Sequence, residues 1–254
     1  MPSHSLFPRY SYPAHILLGV ARDWLLLRHR SFRADSAACL AELIPPLKVS
    51  GREHIPSAGP CLLTFNHYFR PGYNAWWTTL AIASQLPMEA HFVMTDELTF
   101  PGKWYAPVGS RLSHWVLRRG AEVYGFTSMP PMPPREKDVA GRARSVREAL
   151  SFADRAKDPV IGLAPEGGDM PGGRLADPPS GVGRFVFQLA GRGLKVIPVG
   201  VFEQAGCLWT GFGPAYALTV PKGISADERD RIVAKQVMEN IAPLLPTHLR
   251  GEFQ

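Results

Sequence analysis

Short, continuously apolar runs, each followed by a loop and then a helical period, recur through this chain and constrain its fold more than any other feature. Cys61-Leu-Leu-Thr-Phe65 and Val160-Ile-Gly-Leu-Ala164 read as buried strands, and His91-Phe-Val-Met94 and residues 196–201 as two more strands. Helical patterns fall between them, over residues 75–85, 104–117, 142–156 and 183–189. Residues 121–124 and 216–220 read as two further strands. Ser225 with Glu228 forms a capping box ahead of Ile232, Val233, Val237 and Ile241, which marks a C-terminal helix. Strands alternating with helices predict an α/β fold: a mostly parallel central sheet flanked by helices.

Two segments are expected: a helical N-terminal one over residues 1–45, and an α/β domain over residues 46–254. The stretch 15–30 reads HILLGVARDWLLLRHR, apolar from Ile16 to Leu27 except for Arg22 and Asp23. Twelve helical residues span about 18 Å, short of a hydrocarbon core of roughly 30 Å, so this is no spanning helix. The charges inside the run and the lack of a small-residue cleavage site also argue against a signal peptide. Two readings stay open: an interfacial helix with Trp24, Arg28, His29 and Arg30 at the headgroups, or a helix packed on the main domain.

The net charge of +6 favours anionic partners. No run of four or more Lys/Arg and no zinc-finger module occurs, so nucleic acid is not an expected partner. Cys39, Cys61 and Cys207 form no C-x-x-C pair, which fits a reducing cytoplasm better than a disulfide framework or a metal site. The expected location is cytoplasmic, peripheral to the inner face of the membrane. His54, His91 and His114 lack metal-ligand spacing, and no metal is expected. No G-x-S-x-G elbow, G-x-G-x-x-G loop or Walker A sequence is present. Trp76-Trp77 reads as core packing, and Pro130-Pro131 with Pro133-Pro134 as a stiff connector.

Two loops directly follow buried strands: Asn66-His67-Tyr68-Phe69-Arg70-Pro71-Gly72 and Pro165-Glu166-Gly167-Gly168-Asp169. Ligands of open α/β sheets bind beyond the carboxyl ends of the strands, so His67 and Glu166 are placed to converge on one cleft. A neutral imidazole suits a general base. From pattern alone, a structural histidine and a helix-capping glutamate remain the competing readings.

The order of blocks carries more. LxVxGxExIPxxGPxLLxxNH (47–67), FVMTDEL (92–98), a glycine-led strand (120–124), PEG (165–167), GGRL (172–175), GVGR (181–184) and VIPV (196–199) together resemble the PlsC-type acyltransferase family, which includes lysophosphatidic acid acyltransferases. The resemblance implies acyl transfer from acyl-CoA or acyl carrier protein, as co-substrate, to a hydroxyl of a lipid acceptor at a membrane surface, with no cofactor. It makes His67 the general base, and Glu166 and Gly167 the Glu-Gly pair that holds the acceptor. Pro198 matches the proline of the family's last motif. Asn66, Arg70, Gly168, Arg174 and Arg184 complete the expected substrate-binding set.

The departures are equally specific. The family pairs its histidine with an aspartate five residues on, and that position is Gly72. Asn74, Asp96, Glu166 and Asp169 are the candidates to replace it. Asp169 stands where the family has a phosphate-binding arginine, and Tyr124-Gly125 where it has another. Losing two charge-assisted contacts weakens a phosphate site. Either the acceptor lacks phosphate, or the chain is a catalytically impaired relative that binds lipid or acyl carrier.

Overall fold

The computed structural model of the chain describes residues 6–100, 102–132 and 135–253, so Pro133 and Pro134 of the connector, and residues 1–5, lie outside it. Seven α-helices are described: α1 (Ala14–Leu26), α2 (Phe32–Ala41), α3 (Trp76–Ala83), α4 (Ala106–Tyr124), α5 (Val139–Arg155), α6 (Val182–Ala190) and α7 (Ala226–Ile241). The strands are β1 (Lys48–Ser50), β2 (Cys61–Phe65), β3 (His91–Thr95), β4 (Thr127–Met129), β5 (Val160–Leu163), β6 (Lys195–Gln204) and β7 (Cys207–Phe212). They form one sheet in the order β1-β7-β6-β2-β5-β3-β4. All neighbouring strands pair in parallel except β6 and β7. Every residue of β2 and β5 is buried, as expected for strands covered on both faces.

Two expected strands are corrected. Residues 121–124 are the last turn of α4, which ends at Gly125 in the left-handed conformation before β4 begins at Thr127. Ala121 and Val123 are buried and Glu122 is exposed, a two-residue alternation that imitates a strand at a helix end. Residues 216–220 make only an isolated bridge, Val196 to Tyr216. The antiparallel partner of β6 is instead β7, reached through Ala205-Gly206, both at positive φ as a tight hairpin turn requires.

Of the two N-terminal helices, α2 shares the main core. From α2, Phe32 meets Trp76, Phe92, Tyr124 and Phe126 edge-on or tilted at 5.0–6.0 Å, and Cys39 and Leu40 are buried with it. Arg30 turns inward rather than toward headgroups, pairing with Asp23 at 2.6 Å and Asp35 at 2.7 Å. On the far side, α7 buries Val233, Val237, Met238 and Ile241. Full burial of such a side chain is worth about 1.5–3 kcal/mol. The buried Asp230 carboxylate accepts the N–H groups of Gly181 and Arg184, each at 2.6 Å, and so caps α6 from α7. Among the described residues, no helix is long and apolar enough to cross a membrane.

Candidate active site

Parallel pairing of β2 with β5 and β6 sends the loops after all three strands to the same edge of the sheet. Asn66, the first residue beyond β2, is buried, and its amide serves the backbone. Nδ2 donates to the Val201 carbonyl at 2.8 Å, while Oδ1 accepts from the Val201 N–H at 2.7 Å. A side chain thereby extends the β2–β6 grip past the last backbone pair and fixes where residue 67 begins.

Glu166 fixes it from the other side. Its carboxylate, in a residue 2% exposed, accepts the His67 N–H at 2.6 Å on Oε2 and the Ala176 N–H at 3.0 Å on Oε1. The two loops are thus tied together across 99 positions, through the main chain of residue 67. Burial pushes the Glu166 carboxyl up to about 6, against the opposing pull of the two N–H groups. The His67 imidazole turns to a different carboxylate: Nδ1 is buried and lies 3.0 Å from Asp169 Oδ1, off the line of a hydrogen bond.

The other candidates for that pairing are occupied elsewhere. Asp96 sits 3.6 Å from His114 Nδ1. Asn74 accepts the Trp76 N–H at 3.1 Å and donates to the Tyr12 hydroxyl at 3.3 Å. Gly72 has φ +80°, and a Cβ there would meet only Arg70 Nη1 at 3.6 Å.

Of the expected substrate contacts, Gly167 (φ +71°) and Gly168 follow Glu166 alongside Met132. Gly173 (φ +65°) packs so closely on the loop after β2 that a Cβ would lie 2.6 Å from the Phe69 carbonyl oxygen. Arg174 follows directly, exposed and without an ion-pair partner among the described residues. Arg70 is committed to Glu203: Nη2 lies 2.8 Å from Oε1 and Nε bonds Oε2, beneath the ring of Phe7 at 3.8 Å. Arg184 pairs with Asp227 at 3.1 Å, beside an α6 N-terminus already filled by Asp230.

Glu203 is a residue that sequence reasoning missed. Its buried carboxylate also accepts the Tyr10 hydroxyl at 2.6 Å and the Tyr68 hydroxyl at 3.2 Å. Tyr10 and Tyr12 lie against Trp77 at 4.8 Å, so the segment before α1 braces the loop that carries His67. The available signal was a glutamate near the end of an otherwise apolar strand, where a buried charge requires a partner.

Fold and site define an α/β protein with an imidazole and two carboxylates gathered where parallel strands end. The chain belongs to the acyltransferase family, whose model (Acyltransferase) matches residues 46–202. Among solved structures it is similar to the 1-acyl-sn-glycerophosphate (LPA) acyltransferase PlsC from Thermotoga maritima, with a TM-score of 0.52. That similarity covers 96% of this chain and 91% of the other at 15% identity, a likeness of fold. No curated protein matches the sequence.

Proposed function

We propose that this protein transfers a fatty acyl group from acyl-CoA or acyl carrier protein to a hydroxyl of a glycerolipid or related lipid, as a 1-acylglycerol-3-phosphate O-acyltransferase does, with His67 as general base. The observation that carries the reading is the His67 loop, held in place by Asn66 and Glu166 beside an exposed Arg174 that has no ion pair among the described residues. With Nδ1 turned to Asp169, Nε2 is the nitrogen left to a substrate. It takes the acceptor's hydroxyl proton as the oxygen attacks the thioester carbonyl. The new C–O bond forms, the C–S bond breaks, and the imidazolium returns its proton to the departing thiolate.

Both donors are anionic. An open cleft between the start of α4 and the segment before α5 is lined by Glu97, Ser110, Arg111, His114, Arg135 and Lys137. Arg135 is neutralised by Glu97 and Asp138, which leaves Arg111 and Lys137 as the cations without an ion pair among the described residues. Replacing both by glutamate is expected to raise KM for the donor while leaving the acceptor's KM in place.

Apolar side chains exposed on α1 (Leu17, Leu18, Leu25) and α4 (Val108, Leu112, Trp115) favour a position peripheral to the inner face of the membrane. The test is thiol release from acyl-CoA with a panel of phosphorylated and phosphate-free lysolipids. Acceptor-dependent release that disappears in His67→Ala is expected. Release at the wild-type rate in that variant contradicts the base. A wild type that binds donor and lipid but turns over no thioester favours a silent binding protein.

A further inference from the structure

The structure assigns Asp169 as the positioning carboxylate of His67, in place of the aspartate that the resemblance puts at residue 72; we propose it as a residue that orients the imidazole and stabilises its charged form without touching substrate. The inference rests on the reading of His67 as the base and names what completes it.

An unaided imidazole is a poor base in a fixed geometry, because it can rotate and can carry its proton on either nitrogen. A carboxylate facing Nδ1 removes both freedoms: it holds the proton on Nδ1, presents Nε2 unprotonated, and offsets the positive charge that develops when Nε2 gains a proton. Asp169 Oδ1 is 3.0 Å from Nδ1, an ion-pair approach off the line of a hydrogen bond, and that nitrogen is buried and makes no hydrogen bond among the described residues. The remaining carboxylates near the loop are committed: Glu166 to two backbone N–H groups, Glu203 to Arg70 and two tyrosines, and Asp96 to the neighbourhood of His114.

Residue 72 is a glycine and offers no carboxylate. At φ +80° it lies in the left-handed region, where a side chain is strained by about 1 kcal/mol or more, although the space beside it is open. Asp169 reaches the histidine from the opposite loop instead, three residues after Glu166, whose hold on the His67 main chain sets the distance between the loops. The two carboxylates divide the work: one fixes the backbone of residue 67 and the other its ring. A charge next to the imidazole also accounts for an acid at position 169, where the resemblance expects a cation.

Two readouts test this in the full-length protein. Steady-state kinetics of Asp169→Asn should show kcat lowered about 10²- to 10³-fold with KM for both substrates nearly unchanged. The double variant with His67→Ala should be no slower than His67→Ala alone, because the carboxylate acts only through the ring. Nitrogen-15 NMR of the His67 ring does not depend on turnover: the wild type should show the proton on Nδ1, and Asp169→Asn a mixture of tautomers. Asp169 is half-exposed and carries no backbone hydrogen bond, so the variant is expected to fold. Wild-type kcat in Asp169→Asn, or an unchanged tautomer, overturns the assignment. If the wild type shows no transfer at all, the proposed activity fails, and the tautomer measurement still decides the role of Asp169.

Discussion

At the scale of single residues, the least comfortable group in the site is Glu166. Its carboxyl is harder to ionise in the folded chain, about 6 against a usual 4.5. Its contribution to stability is therefore present below about pH 4.5 and is lost as pH rises through 6. Above that, the ionised form is carried at a cost on the order of 2 kcal/mol. The charge is kept because two N–H groups need acceptors, and a protonated carboxyl would turn a donor toward one of them. Glu166→Gln is expected to leave stability at pH 8 within about 1 kcal/mol of wild type, since relief of the buried charge offsets a lost charge-assisted bond. Its activity should fall more than about tenfold because the His67 main chain is released. Thermal melts of both proteins from pH 5 to 8, with turnover measured in parallel, check this. Only the wild type should lose stability through Glu166 as pH rises through 6. His91, held down to about 4 by burial, acts in the opposite direction and cancels in the difference between the two.

Among the elements, α6 and α7 depend on one side chain. Removing the Asp230 carboxylate leaves the N–H groups of Gly181 and Arg184 unpaired, so Asp230→Ala should cost about 2–3 kcal/mol, read by urea denaturation. An unchanged midpoint would mean that the α6 N-terminus is satisfied some other way. The strands β2, β3, β5 and β6 were legible because largely apolar runs have few alternatives. β7 was not: Cys207 to Phe212 mixes tryptophan, threonine and glycine, and its place is set by the hairpin at Ala205-Gly206, a turn that carries no strong residue signature. The loops showed the same divide. Sequence order marked His67 and Glu166, whereas the contact of Asp169 with His67, and of Arg70 with Glu203, comes from tertiary placement across more than a hundred positions.

Taken whole, the molecule has one side unlike the rest. Leu18 is 72% exposed on α1 and Trp104 93% exposed just before α4, with Leu17, Leu25, Leu26, Val108, Leu112 and Trp115 also open to solvent. The two helices are joined by Trp24 against Trp115 at 4.4 Å and by Arg119 donating to the Trp24 carbonyl at 2.9 Å, so these exposed apolar residues lie on two adjoining helices. Surfaces of this kind mark contact with a membrane or a partner. Leu18→Glu with Leu25→Glu should weaken binding to anionic phospholipid vesicles about tenfold or more while leaving the fold intact, measured by co-sedimentation. Undiminished binding would assign the surface another use. Deleting the N-terminus would be a poorer probe, because Phe7, Tyr10 and Tyr12 brace the His67 loop. On the proposed function, the apolar residues of α1 and α4 are expected to meet lipid and the strand ends to carry out the chemistry. The measurement that tests this account most directly is mass-spectrometric detection of labelled acyl product, formed from acyl-CoA and a lysolipid by the intact wild type and by His67→Ala. The account predicts acylated lipid from the wild type and a loss of at least about a thousandfold in the variant; equal product from both would contradict it.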